Sequence, residues 1–394
     1  MTTDYKGNGQ NDSARSSQSS LTSTEETTTN SLHLPHLPFD LVVEILCRLP
    51  VKHLLQLRCL CKSWNSLISG DSKFAKKHLR LSTSNQERHH LIGIPKSTKE
   101  LVLCHSPISS IFCSASTTCV ELFSYSLGDI LIKGGASTCD GIICFRIGNS
   151  LALLCNPFIK KFKILPPLKF PPQVFTIYTI VYDRFTNNYK IIAVDTPRRK
   201  VNVNVHTLGT DYWRRISGFP GSDLIPMPRP GIFVNDSVNW LALDDVRFAS
   251  IIVSLDLEKE SYQKLPLPSL PAFYMQFTTS FRTLGTLRGC LSLLFDRRDR
   301  FSDVWIMKEY GNEKSWTKLL TVPPMEEPGF YGFTMALYIS KDDQVLMEFL
   351  KKKKYSLVVY DSINNTFNIP KFQNNNHGEM VAQEVYIESL ISPL

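Results

Sequence analysis

One short sequence phrase recurs along the chain at nearly regular intervals, and its spacing indicates the size of the repeating structural unit. It has hydrophobic residues just before a proline, and it closes five successive groups of strand-like segments: Lys163–Pro166, Ile216–Pro220, Gln263–Pro266, Leu319–Pro323 and Phe367–Pro370. The closing prolines follow one another at intervals of 46 to 57 residues. Such a period is typical of the four-stranded blade of a β-propeller. With one less regular unit before Gly134, we expect an all-β, propeller-like domain of about six blades.

Strand-like runs rich in Val, Ile, Leu and Phe can be delimited within two of the periods. They are Gly231–Val234, Ser237–Leu243, Ser250–Asp256 and Ser261–Leu265 in one period, and Gly289–Phe295, Asp303–Glu309 and Ser315–Leu320 in the next. A ring of blades must be closed, because a terminal blade would otherwise expose an unpaired strand edge. We therefore predict that the run Glu384–Ile391 pairs into the blade formed by residues 88 to 130.

Aromatic and basic residues of this region have structural interpretations. Four tryptophans lie in strand-like runs at comparable blade positions, and we expect them to pack between blades and not to form a ligand cage: Trp213, Trp240, Trp305 and Trp316. The basic run Lys351–Lys354 separates two strand-like segments. We interpret it as the exposed tip of a hairpin, with a nuclear import signal or an anionic-ligand site as the alternatives.

A different pattern occupies Leu37 to Ile68. Pro38 suits a first helical position and Pro50 cannot continue a helix, so a short helix is predicted from Pro38 to about Leu49. Apolar residues beyond Pro50 recur at steps of three or four, which places them on one face of one or more helices. About 40 residues cannot bury so much apolar surface among themselves, so a partner is expected. The alternative is a helical cap packed on the large domain behind it.

This stretch closely resembles an F-box. The resemblance rests on Leu37-Pro38, Glu44-Ile45-Leu46, Arg48-Leu49-Pro50, Lys62, Trp64 and Leu67-Ile68. In that family the motif docks on the Skp-type adaptor of an SCF ubiquitin ligase, and the adaptor holds the cullin with its RING subunit. The resemblance implies adaptor contacts at ten positions: Leu37, Pro38, Leu41, Ile45, Leu46, Leu49, Pro50, Leu54, Leu57 and Trp64.

Residues 90 to 390 carry a second, independent resemblance. It rests on Cys139–Cys144, Asn156-Pro157, Tyr182-Asp183, Asp303–Gly311 and Ser315–Lys318. These segments are similar to the F-box-associated domain of plant F-box/kelch-type proteins. The resemblance implies a kelch-type propeller that binds a target protein for ubiquitination, in a receptor subunit with no catalytic residue and no cofactor.

Charge and composition narrow the classes of function. The net charge is +8, but the basic residues are spread along the chain and form no recognition module, so nucleic acid is not an expected partner. No apolar run of about 18 residues predicts a membrane span, and the first ten residues lack the apolar core of a secretory signal, which favours the cytoplasm or nucleus. The 10 cysteines are expected to be reduced, and their spacing with histidine does not predict a metal site.

These patterns divide the chain into four expected parts. Residues 1–31 form a Ser/Thr-rich tail that we expect to be disordered. Residues 32–81 form the helical F-box, residues 82–90 a linker, and residues 91–394 the F-box-associated propeller.

The sequence contains no motif of a known catalytic machinery, and its carboxylate pairs Asp244-Asp245 and Asp342-Asp343 are typical of turns. Two classes of function compete: a ligase substrate receptor, and a propeller enzyme or glycan-binding module with an incidental helical segment.

The residues that bind a target are unknown from the sequence. The loops Arg198–Val201, Asp244–Ala249 and Asp296–Ser302 are long or charged enough to contact a partner. Arg297, Arg298 and Arg300 would suit an acidic target surface, and they are equally typical of ordinary solvated turns.

Overall fold

A computed structural model describes most of the chain from Leu37 onward. The described residues are 37–95, 100–113, 116–126, 135–148, 150–168, 176–195, 201–216, 218–221, 223–244, 246, 249–269, 281–297, 300–352, 354–373 and 380–394. The chain divides into two units, residues 1–42 and residues 43–394. The helices in the described part are α1 (Phe39–Leu46), α2 (Val51–Leu57), α3 (Lys62–Gly70), α4 (Ser72–Ser84) and α5 (Ile108–Cys113).

Prolines set the limits of the first helices. α1 begins directly after Pro38, whose carbonyl oxygen accepts the N–H of Leu41 at 3.0 Å. It ends at Leu46, earlier than the predicted Leu49, because the N–H of Leu49 bonds back to the carbonyl of Leu46 at 2.9 Å and tightens the last turn. Pro50 lacks an N–H and precedes α2, so the chain bends there.

The helix α4 extends the helical segment further than the sequence predicted. The side chain of Asp71 caps its N-terminus by accepting the N–H groups of Lys73 at 2.7 Å and Phe74 at 2.9 Å. α4 continues to Ser84, and a 3₁₀ turn over Gln86–Arg88 follows it. The predicted linker of residues 82–90 is therefore occupied by ordered elements up to the start of the first strand.

The remaining described chain forms six four- or five-stranded antiparallel sheets, which are the predicted blades. The closing blade contains β1 (His89–Pro95), β2 (Glu100–Pro107), β4 (Val120–Ser126) and β27 (Met380–Ile387). The second blade contains β5 (Ser137–Cys139), β6 (Ile142–Ile147), β7 (Leu151–Asn156) and β8 (Lys161–Ile164), and the third β9 (Thr176–Asp183), β10 (Asn188–Asp195), β11 (Asn202–Thr207) and β12 (Arg214–Arg215).

The fourth blade has five strands: β13 (Leu224–Pro226), β14 (Ile232–Val234), β15 (Ser237–Asp244), β16 (Ala249–Asp256) and β17 (Ser261–Leu265). The fifth blade contains β18 (Phe281–Leu287), β19 (Cys290–Asp296), β20 (Ser302–Met307) and β21 (Trp316–Val322). The sixth contains β22 (Phe330–Ile339), β23 (Val345–Lys351), β24 (Lys354–Asp361) and β25 (Thr366–Asn368). A parallel pair, β3 (Ser116–Thr118) and β26 (Lys371–Gln373), links the sixth and closing blades. The expected six-bladed propeller is confirmed.

The ring closes as predicted from the sequence. β27 pairs antiparallel with β1, in a register that places Ile387 opposite His89 and Gln383 opposite Gly93. β27 also contacts β5 and β22, the first strands of the two neighbouring blades, so it is the innermost strand of the closing blade. The strand ends at Ile387, so only the first half of the predicted run Glu384–Ile391 pairs as a β-strand.

Two of the four tryptophans join neighbouring blades. The indole N–H of Trp213 donates to the carbonyl of Pro166 at 2.7 Å, and that of Trp316 donates to the carbonyl of Pro266 at 3.0 Å. Each bond runs from the outer part of one blade to the closing phrase of the blade before it. Trp240 is buried in the core and Trp305 is half-buried. The predicted hairpin at Lys351–Lys354 is confirmed, since these two lysines are paired across its tip.

Candidate functional site

The helical segment leaves large apolar side chains in solvent. α1 has six hydrophobic residues among its eight, but it buries only Leu46. In the first unit Leu37, Phe39 and Leu41 are exposed, and in the second unit Ile45 is 52% and Leu60 69% exposed. Exposed apolar side chains in this number are typical of a surface that another protein covers.

The ten predicted adaptor contacts divide by burial. Exposed or half-buried positions are Leu37, Pro38, Leu41, Ile45, Leu49, Pro50, Leu57 and Trp64. Leu46 and Leu54 are instead 2% and 0% exposed within this chain. Because these two side chains are buried within this chain, we expect them to support the adaptor-binding surface from beneath and not to line it.

A buried ion pair joins the helical segment to the propeller. Arg88, just after α4, lies with its Nε 3.5 Å from Oε1 of Glu388, just after β27, and both side chains are only 5% exposed. The N–H of Glu388 donates to the carbonyl of Arg88 at 3.1 Å. The Arg88 guanidinium also donates to Ser82 Oγ at 2.9 Å and to the carbonyl of Arg48. We call Arg88, Glu388 and these partners the junction.

Burial changes the protonation of the junction. Desolvation raises the pKa of Glu388 to about 7, although the Arg88 charge opposes the shift, and it lowers the pKa of Arg88. It also lowers the pKa of His78 to about 4, so this histidine is neutral at physiological pH. The His78 Nε2–H donates to the carbonyl of Leu49 at 2.9 Å, which holds the turn between α1 and α2 against α4.

A second contact lies near the third blade. Lys76 of α4 donates from its ammonium to Asn187 Oδ1 at 2.8 Å and to the Tyr182 hydroxyl at 3.2 Å. The ammonium also lies 5.4 Å from the centroid of the Tyr182 ring. Two separated points of attachment, at Arg88 and at Lys76, resist rotation of the helical segment on the propeller.

Both attachments lie on the same rim of the propeller. Tyr182 and Asn187 flank the turn between β9 and β10, the first two strands of the third blade, and Glu388 follows β27 where it pairs with the start of β1. If the four strands of a blade are lettered A to D from the innermost outward, this side carries the connections between strands A and B. We call it the A–B rim. Because successive strands are antiparallel, the connections between second and third strands lie at the opposite, B–C rim.

The strands that flank the three predicted target-binding loops, β10 and β11, β15 and β16, and β19 and β20, meet these loops at the B–C rim. Residues 198–200, 245, 247–248 and 298–299 of the loops lie outside the described residues. Arg300 there is exposed, and Arg298 lies outside the described residues. Arg297 is only 5% exposed, and its guanidinium lies 5.3 Å from the centroid of the Phe301 ring. Its side chain therefore packs against the protein and does not present a free charge at the rim.

The sequence did not single out the residues of the junction. Arg88 fell in the predicted linker and Glu388 in a predicted strand, and nothing local marks two residues 300 positions apart in sequence as partners.

Within the described ranges, no three His, Cys, Asp or Glu side chains form a group that could hold a metal ion. No helix in this part of the chain is long and apolar enough to cross a membrane.

Two protein families match the two parts of the chain. The F-box domain family matches residues 34–76, and the F-box associated beta propeller domain family matches residues 115–393. Solved structures with similar folds include the Dos1 propeller, at 9% identity over 76% of this chain and 69% of that one (TM-score 0.38). YCF48 from Cyanidioschyzon merolae matches at 10% identity over 72% of this chain and 85% of that one (TM-score 0.39).

Relatives of similar length come from Arabidopsis thaliana. An F-box/kelch-repeat protein is 30% identical over 93% of this chain and 98% of its own length. The F-box/WD-40 repeat-containing protein 1 is 26% identical over 90% of this chain and 88% of its own, and the F-box protein CPR1 is 25% identical over 79% of each. From the matched domains and these relatives, the chain belongs to the F-box proteins that carry an F-box-associated beta-propeller domain.

Proposed function

We propose that this protein is the substrate-recognition subunit of an SCF-type ubiquitin ligase. The observation that carries the proposal is a helical segment with exposed apolar side chains, fixed by a buried junction to one rim of a propeller. In this role the F-box binds a Skp-type adaptor, the adaptor holds a cullin with its RING subunit, and the propeller binds the target protein. Such a complex would work in the cytoplasm or nucleus.

The proposed adaptor contacts are the exposed and half-buried members of the ten predicted positions, with Ile45 and Trp64 among them. A partner covering these side chains removes apolar surface from water, which stabilises the complex by about 25 cal/mol per Å² before the costs of association. Leu46 and Leu54 act indirectly, since they pack beneath the surface and hold the helices in place.

The proposed work of the chain is positioning. A ligase receptor raises the effective concentration of a target lysine near the conjugating enzyme, and this needs a fixed geometry more than a catalytic group on the receptor. The ion pair of Arg88 and the hydrogen bonds of Lys76 support such a fixed geometry. Because Arg88 and Lys76 attach the helical segment to the A–B rim, we place the target on the opposite, B–C rim.

The adaptor contact can be tested with a pair of isoleucine substitutions. We expect Ile45→Asp to weaken binding to a recombinant Skp-type adaptor at least tenfold, because a carboxylate would be desolvated in the interface. Ile363→Asp is the matched control, since Ile363 is 77% exposed in a turn of the propeller. Binding is measured by calorimetry, and unchanged melting temperatures show that both variants fold.

The result that contradicts the proposal is equally specific. Wild-type protein that fails to bind the adaptor, or binding that Ile45→Asp leaves unchanged, would exclude docking through this surface. Leu46→Asp is unsuitable here, because a charge at a buried position unfolds the helices whether or not they bind a partner.

A further inference from the structure

A cavity of about 370 Å³ lies between the sixth blade and the closing blade, where the ring of strands is closed. Its volume is in the range of small-molecule sites. Residues of β1, β2 and β27 form one wall, and residues of β24 with the segment around Phe372 form the other. The first wall thus combines strands from both ends of the propeller sequence, whereas the second wall comes from its C-terminal part alone.

The cavity wall is mainly apolar and carries no acidic side chain among its described residues. Leu91 and Leu357 are each 4% exposed and belong to one apolar cluster, while the thiols of Cys104 and Cys119 pack with Phe372 in another. An apolar wall of this kind favours an occupant that is itself largely apolar.

Two basic residues also line the cavity, and they differ in charge. The pKa of His105 is lowered to about 4 by burial, so its imidazole is neutral at physiological pH. The remaining charge is the ammonium of Lys354, which is exposed to solvent. The enclosed part of the cavity is therefore uncharged, which favours a neutral occupant.

One polar group in the wall has no hydrogen-bond partner among the described residues. Gln383, the β27 residue opposite Gly93, lines the cavity and is 9% exposed. Its Oε1 atom accepts no hydrogen bond from any described residue. Buried acceptors are almost always paired in native proteins, so a donor is expected here beyond those that the described residues supply.

We propose that this cavity binds a neutral, largely apolar organic molecule, of about two fused rings, that donates one hydrogen bond to Gln383. The molecule contacts both the sixth and the closing blade and so stabilises the closed ring. The proposal is independent of adaptor docking, since the cavity includes no residue of the helical segment.

The test uses 2-naphthol as the probe, with naphthalene as a probe of the same shape that lacks the donor. We expect 2-naphthol to raise the melting temperature of the full-length protein in a concentration-dependent way. Naphthalene and Gln383→Leu each remove the hydrogen bond, so each is expected to weaken binding about five- to tenfold. Gln263→Leu, at an exposed position of β17, is the matched control and leaves the affinity unchanged.

A second readout needs no variant. Cys104 and Cys119 line the cavity, whereas Cys59 and Cys61 are exposed on the helical segment. We expect 2-naphthol to slow alkylation of the first pair by iodoacetamide and to leave the second pair unaffected, as followed by mass spectrometry of the peptides.

The outcomes that overturn the proposal are distinct. A melting temperature insensitive to 2-naphthol, or unchanged alkylation of Cys104 and Cys119, excludes the cavity as its site. Equal affinity for 2-naphthol and naphthalene excludes the role of Gln383, and this comparison decides the point even where Gln383→Leu does not fold.

Discussion

At the scale of single residues, Arg88 and Glu388 decide how the F-box is held. Both side chains are buried, and burial of such a pair costs desolvation energy that its attraction does not always offset. The pair is thus better explained as a contact that orients the helical segment on the propeller than as one that stabilises the fold. The guanidinium reaches Ser82, Arg48 and Glu388 at once, and a hydrophobic pair of similar volume would fix none of these directions.

The raised pKa of Glu388 predicts how stability changes with pH. The folded protein holds this proton up to about pH 7, whereas the unfolded chain releases it near the ordinary value of 4.5. The contribution of Glu388 to the free energy of unfolding is therefore at its maximum below about pH 4.5, and it is lost as the pH rises through 7. We expect Glu388→Gln to remove this decline. Between pH 5 and pH 8, the free energy of unfolding of the wild type should therefore fall relative to that of the variant by on the order of 3 kcal/mol.

Denaturant unfolding of both proteins at several pH values measures this difference. His78, which titrates in the acid range, is present in both and cancels in the comparison. Parallel pH profiles of the wild type and Glu388→Gln would show that Glu388 ionises in the folded state as it does in water.

At the scale of elements, the turn between β5 and β6 fits closely against the segment after β27. Gly141 has a φ of +79°, and a Cβ atom there would overlap the side chain of Ser389 and lie 2.9 Å from the carbonyl oxygen of Ile387. The Ser389 hydroxyl donates to the carbonyl of Asp140 at 2.6 Å. This turn is thus a point where the second blade is attached to the closing blade.

Gly141→Ala tests that attachment against a glycine in the same conformation. Gly289 has a φ of +73°, but nothing lies within 4 Å of the position that a Cβ atom would take there, so Gly289→Ala costs only the backbone strain of about 1 kcal/mol. We expect Gly141→Ala to cost about 1 to 3 kcal/mol more, because the added methyl group overpacks the contact. Equal losses in thermal denaturation would mean that the segment after β27 moves aside freely.

At the scale of the whole molecule, the propeller depends on contacts between distant parts of the sequence. The Tyr386 side chain, 1% exposed, donates from its hydroxyl to the carbonyl of Gly141 at 2.7 Å and lies 2.8 Å from Asn156 Oδ1. The Asn156 amide in turn donates to the carbonyls of Ser389 at 3.0 Å and Ile391 at 2.8 Å. This network ties the closing blade to the second blade.

Tyr386→Phe removes one hydroxyl from that network without changing the shape of the core. We expect a loss of about 1 to 3 kcal/mol in the free energy of unfolding, since buried acceptors are left without a donor. Tyr355→Phe is the control, because Tyr355 is 40% exposed and its loss should stay within about 0.5 kcal/mol. Equal effects of the two substitutions in urea denaturation would contradict the proposed network.

The sequence predicted features that repeat or that depend on local chemistry. The closing phrases set the blade period because each blade places the same kind of strand end, and the closing role of β27 followed from the need to cover an edge. It did not predict that α4 continues to Ser84, although the cap at Asp71 marks where this helix begins. Nor did it separate Leu46, which is buried, from Ile45, which is exposed, since the packing that distinguishes them comes from the rest of the fold.

The pairing of β27 with β1 has a consequence for synthesis on the ribosome. The F-box and five complete blades are synthesised before β27, so during that interval the edge of β1 has no neighbour and the nascent propeller stays open. Contacts across so long a stretch of sequence also form slowly. Under the proposed function, a nascent chain stalled or cleaved before Met380 carries a finished F-box on an unfinished propeller, and it would compete for the adaptor without delivering a target.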